Sequence, residues 1–124
     1  MLRMNSYFYV LATILLMVFG QIIIKWQVLK AGTLPEEIAE QFSFVVRLLF
    51  NPWILGGLFL ALLSAICWMI AMSKLPLSHA YPFVSLSFVL VLVLSAVCFG
   101  ESVTWPKILG VSLIVLGVGV SSQG

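Results

Sequence analysis

The chain has 124 residues, 63% of them hydrophobic and only 8% charged, with a formal net charge of +2. A soluble domain of this size carries roughly a quarter charged residues to cover its core, so this composition excludes an ordinary water-soluble protein and points to lipid as the solvent. The expected fold is an all-α integral membrane protein, and no broad acidic or basic surface is present to suggest nucleic acid as a partner.

In chain order, the first apolar run covers residues about 7–25, within the ~17–25 residues that a helix needs to cross a bilayer. One Arg precedes it, but the run is too long for a signal peptide and no small-x-small cleavage site follows. It ends in "FGQIIIKWQ", where Gln21 and Lys25 share a helix face one turn apart. Lys25 has two readings. Its stem could carry the ammonium out to the headgroups, or the charge could face a cavity or partner inside the bundle, since a charge in hydrocarbon costs ~2.5–3.5 kcal/mol. Gln21 is too short to reach water, so its amide should face another helix or a polar cavity.

Residues 28–51 form the longest connection, with an amphipathic segment at about 35–50. In "PEEIAEQFSFVVRLLFNP", Ile38, Phe42, Val45, Val46 and Leu49 recur at helical spacing, while Glu36, Glu37, Glu40, Ser43 and Arg47 fall mainly opposite. This pattern predicts an amphipathic helix lying flat at the interface. The alternative turns Arg47 inward as an anion contact at a cavity mouth.

Asn51-Pro52 is a helix-start signal and opens the second span, residues about 53–72. The third span, about 80–99, is entered through Pro82, and Trp105-Pro106 opens a fourth, about 106–121. The short links between the later spans make neighbours antiparallel, so the expectation is a single four-helix domain, 1–124, wound up and down. Arg3 and Lys74 fall on one side of the membrane; Lys30, Arg47 and Lys107 fall on the other. That difference is too small for the positive-inside rule to fix the orientation.

In the third span, Tyr81, Ser85 and Phe88 fall on one face, with Ser78 and Ser95 on extensions of it. Intramembrane serines commonly bond back to a carbonyl one turn earlier. Tyr81, ahead of a proline that frees backbone groups, offers both a phenol and a ring face. His79 falls at the boundary and reads as an interfacial residue. Glu101, after Gly100, could complement the fourth helix dipole or pair with a lysine from elsewhere. Gly110, Gly117 and Ser121 line one face of the fourth helix, where small residues allow close helix approach in lipid. Cys67 and Cys98 lie within spans at no metal or redox spacing and read as buried free thiols. Phosphate loops, nucleophile elbows, metal clusters and carboxylate pairs are all missing from the sequence, so no enzyme, metal or cofactor is expected.

"GQIIIK", "AYPFVSLSFVLV" and "FGESVTWPKILGVSLIVLGVGV" together resemble the drug/metabolite transporter superfamily in all four spans. The G-E-x-x-T-x-x-K-x-x-G pattern from Gly100 to Gly110 is similar to the superfamily's EamA type. Among four-helix members, small multidrug exporters carry a buried glutamate three residues before the span-one glycine; Met17 stands there in this chain. Val84, Leu86 and Phe88 replace their tryptophan and kink glycines. No span contains an acid to exchange protons for a cation.

The motifs resemble more closely the flippase subunits that carry aminoarabinose-phosphoundecaprenol across the inner membrane of Gram-negative bacteria. The matching positions are Gly20, Gln21 and Lys25, then Ala80, Tyr81, Pro82, Ser85, Leu86, Phe88 and Val89, then Glu101. The resemblance implies a flippase for a polyprenyl-phosphate-linked sugar or a similar anionic lipid. Gln21, Lys25, Arg47, Tyr81, Ser85 and Glu101 are the candidate substrate contacts. Dimerisation, with itself or with a paralogue, is expected through Gly110, Gly117 and Ser121, with the first three spans of two protomers lining the cavity. A non-transporting subunit of a glycolipid enzyme and an exporter of small metabolites or cations are the alternatives.

Overall fold

A computed structural model describes residues 2–124, with side chains described from residue 5 onward, so the Arg3 side chain used in the charge comparison lies outside the described residues. The protein is all-helical: α1 (Leu2–Ala31), α2 (Ile38–Leu49), α3 (Pro52–Met72), α4 (Leu77–Val84), α5 (Ser87–Phe99) and α6 (Trp105–Ser121). No strand occurs among the described residues. Three stretches are long and apolar enough to cross a membrane: Asn5–Ala31, Pro52–Met72 and Leu77–Phe99. Trp105–Ser121 is a shorter apolar helix. This is the architecture of a multi-pass membrane protein.

The helix boundaries follow from local chemistry. Asn51 caps α3: its side-chain oxygen accepts the Trp53 N–H at 2.9 Å, and Pro52 takes the first position, where an N–H has no intrahelical acceptor. Pro106 sits in the first turn of α6 for the same reason. Gly100 ends α5 in the left-handed region, with φ at 65°, where a Cβ would be strained. Two boundaries differ from the sequence reading. The first helix continues to Ala31, beyond residue 25, because nothing from Trp26 to Lys30 breaks it. The third apolar run is two pieces joined by a tight turn. Pro82 cannot donate to the carbonyl one turn back, and the chain past it tightens: Ser85 N–H bonds Pro82 O and Leu86 N–H bonds Phe83 O, both three residues back.

Packing is uneven. Val10, Ile14 and Val18 of α1 join Ala71, Leu75 and Ala80 in the small buried core, with Tyr7, Trp68, Phe83 and Leu94 around it. The α1–α3 contact closes at two glycines. A Cβ on Gly20 would lie 2.9 Å from Gly57 O, and one on Gly57 would lie 2.9 Å from Ile24 Cγ1. Such backbone proximity is how helices associate in lipid, where burial supplies little force. Polar ties reinforce the contact. Ser64 Oγ donates to Thr13 O at 3.0 Å across the buried interface, and Asn51 Nδ2 donates to the Oε1 of buried Gln27 at 3.2 Å. At the opposite end, Tyr7 Oη meets His79 Nε2 at 2.6 Å and ties α1 to the start of α4.

By contrast, α6 meets the rest of the bundle chiefly through α4. Only Val118 of its residues is buried. The thiols are free, but neither is buried within the protein: Cys67 is half-buried and Cys98 points outward from α5. Both lie on apolar helices outside the small buried core.

Candidate functional site

Lys25 is not splayed outward. Its Nζ lies 3.6 Å from Glu101 Oε1, so the last third of α1 faces the end of α5. Together with Gln21, Ile22, Val91, Ser95 and Phe99 these two residues line a hollow of about 260 Å³. The Lys25 and Glu101 side chains remain 49% and 43% exposed, which leaves the pair open to a ligand on one side.

Depth gives this position its meaning. Two turns separate Lys25 from Val18, the middle of the Asn5–Ala31 run, or ~10 Å along the axis. With a hydrocarbon layer ~30 Å thick, the ammonium's backbone anchor lies just inside the boundary. Trp26 and Trp53 pack edge-to-face at 5.4 Å beside it, and Lys30 Nζ stands 4.2 Å over the Trp26 ring. Aromatic rings of this kind mark the membrane–water interface. The site is therefore an ammonium and an amide towards one end of the apolar run, beside an aromatic pair.

Two further hollows are present, the second of which shares lining residues with it. One, of about 340 Å³, is almost wholly apolar and includes Met17, Trp68 and Tyr81. Thr13, Met17, Gln21 and Lys25 follow one another at four-residue steps on α1, so a single ridge runs from this hollow to the lysine. The other, of about 370 Å³, opens between α5 and α6; it shares Val91, Ser95 and Glu101 with the lysine hollow and adds Lys107 and Gly110.

The remaining candidates are dispersed. Tyr81 is largely exposed and packs edge-to-face on Trp68 at 5.9 Å. It stands near the start of the Leu77–Phe99 run, ~27 Å along the helix from the Glu101 end. Ser85 caps α4 in the tight turn, half-buried. Exposed Arg47 lines a shallow hollow with Ala31, Phe44, Leu48 and Asn51. The α2 residues Ile38, Phe42, Val45 and Leu49 are all exposed, leaving an apolar face uncovered by the protein. Gly110, Gly117 and Ser121 are exposed, and a Cβ on either glycine would meet nothing within 4 Å.

Sequence reasoning missed Gln27, and it put Ser95 only on an extension of the Tyr81 face, without a role. Gln27 lies within the quoted "FGQIIIKWQ", and a second amide at the end of an apolar run was the available signal. Ser95 is buried in the wall that both hollows share; its sequence carries no sign of that.

The EamA-like transporter family model matches residues 1–123. Among curated proteins, the chain is 33% identical to the "Probable 4-amino-4-deoxy-L-arabinose-phosphoundecaprenol flippase subunit ArnF" of Proteus mirabilis (strain HI4320), over 96% of this chain and 92% of that one. It is 36% identical to the protein of the same name from Aeromonas hydrophila, over 92% and 77%, and 33% identical to that of Photorhabdus laumondii, over 97% and 98%. No solved structure matches. An all-helical membrane architecture, a match along nearly the full length and relatives about one-third identical lead to one conclusion: the chain belongs to the EamA-like transporter family.

Proposed function

We propose that this protein is a flippase subunit that moves a polyprenyl-phosphate-linked sugar, or a closely similar anionic lipid, across the bacterial inner membrane. One observation supports the reading: the half-exposed Lys25 ammonium lines a hollow beside Gln21 and is held there 3.6 Å from Glu101. A phosphodiester crossing lipid needs a compensating cation, because an unpaired charge there is costly. Lys25 supplies the charge and Gln21 supplies neutral donors. The work is charge matching, with no bond made or broken, so the reading is of a transporter and not an enzyme.

The chain's four acids are Glu36, Glu37, Glu40 and Glu101, none of them within a spanning helix. This disfavours exchange of a proton for a cation at a buried carboxylate. The names of the relatives support the lipid substrate, and the word "subunit" in them supports an assembly. A hollow of about 260 Å³ also falls below the ~300 Å³ at which pockets begin to enclose a drug-sized ligand. In this reading two chains, identical or paralogous, share the chamber.

The whole chain acts as one membrane domain with four crossings, α6 being the fourth. The open α6 face at Gly110, Gly117 and Ser121 joins the subunits. The exposed apolar face of α2 rests in the interface, where Arg47 guards the mouth. Tyr81 and Ser85 serve the lipid further along the path, beyond the Met17 ridge.

Lys25→Ala is expected to abolish flipping of labelled undecaprenyl phosphate in proteoliposomes while crosslinked dimers persist. Unaltered flipping would remove the basis of the reading. If purified wild-type protein never moves the lipid unaided, the alternative of a non-transporting subunit serving a glycolipid enzyme takes its place.

A further inference from the structure

We propose that Glu101 is an internal stand-in for the substrate anion: its carboxylate occupies Lys25 in the empty site and yields that place to an incoming phosphate. The inference rests on the function proposed above and adds the device that loads and clears the site.

Three features support it. First, the contact is of an exchangeable kind. At 3.6 Å it exceeds hydrogen-bond length, and both side chains are about half-exposed. Second, the backbone is tied while the carboxylate is half-exposed. Gly100 turns the chain in the left-handed region, and the Glu101 N–H donates to Ser95 O at 3.3 Å. The carboxylate thus swings from a tethered pivot. Third, Glu101 belongs to the shared wall of two hollows. Lys25 lines one and Lys107 lines the other, with the Lys107 Nζ donating to Ser102 O at 3.0 Å. A carboxylate leaving Lys25 therefore has a second cation within the neighbouring hollow.

The physical consequence follows directly. Phosphate and carboxylate compete for one ammonium, and two anions crowded there repel one another. Arrival of the lipid drives Glu101 toward Lys107, and departure of the lipid lets it return. The ammonium is never left bare at the lipid boundary, where an unpaired charge is costly. Return of the carboxylate also speeds release, so tight binding does not trap the lipid.

The test measures binding and flipping of undecaprenyl phosphate by the full chain in lipid nanodiscs and proteoliposomes. Removing a competing internal ligand should tighten binding by the competition factor, on the order of tenfold for couplings of ordinary size. Glu101→Gln should therefore bind more tightly but flip more slowly. Glu101→Asp, too short to reach Lys25 yet still charged, should move affinity in the same direction. Lys107→Ala, which removes the alternative seat, should weaken binding, and Glu101→Gln in that background should restore it. Unchanged or weaker binding in both Glu101 variants, with Lys25→Ala still abolishing binding, would overturn this inference alone. Wild-type affinity in Lys25→Ala would overturn the proposed function itself.

Discussion

The α1–α3 contact and the α6 face use the same residue type to opposite ends. At Gly20 and Gly57 the missing side chains are filled by the other helix's backbone and by Ile24. At Gly110 and Gly117 they are filled by nothing in the same chain. A glycine in an apolar helix thus permits close approach, and only Gly20 and Gly57 show what makes use of it within the chain.

Identical substitutions in the two places should separate these roles. Gly57→Leu forces atoms into an occupied space and should cost about 1–3 kcal/mol, with rearranged packing. Thermal unfolding in detergent micelles would show a clearly lowered midpoint, and an unchanged one would refute the close contact. Asn51→Ala removes both the α3 cap and the partner of Gln27. The cap alone is worth ~1 kcal/mol, so a smaller drop in the midpoint is expected. Ser64→Ala deletes one interhelical hydrogen bond, and such bonds in membranes average ~0.6 kcal/mol. Gly117→Leu has open space around it and should change subunit stability by less than ~0.5 kcal/mol. Its effect should appear instead as loss of crosslinked dimer. A lowered midpoint with dimer intact would reverse the assignment of the two glycine faces.

Much of the fold was legible before the coordinates. Asn51-Pro52, Trp105-Pro106 and Gly100 marked helix ends because capping and ring closure act within one turn, and a short stretch of sequence contains the whole cause. Apolar run lengths marked the three membrane-length helices; the fourth run is a shorter apolar helix. The end of α1 was misjudged at Lys25, since a charge looked like a terminus while the helix simply continued through the aromatic belt. Pro82 was recognised, but the tightened turn at Ser85 and Leu86 was not, because how a chain relaxes past a proline depends on what packs against it.

The site was legible only in part. Lys25 and Gln21 are neighbours on one helix, so spacing alone put them together. Glu101 has two readings from sequence, the α6 dipole or a lysine from elsewhere; its pairing with Lys25 depends on α5 ending beside the last third of α1, a tertiary fact. Tyr81 shares no such end, and a stripe read along one helix gave no hint that its top and bottom are a membrane's width apart.

The contact at Gly20 and Gly57 has one more effect. Two backbones held this near have no intervening side chains to act as bearings, so α1 and α3 travel as a single lever. Any alternation of access would then be articulated elsewhere, at the tightened turn past Pro82 and in the lightly held α6. Lys25 rides on this paired arm, so its place relative to α3 is set by the same glycine contact.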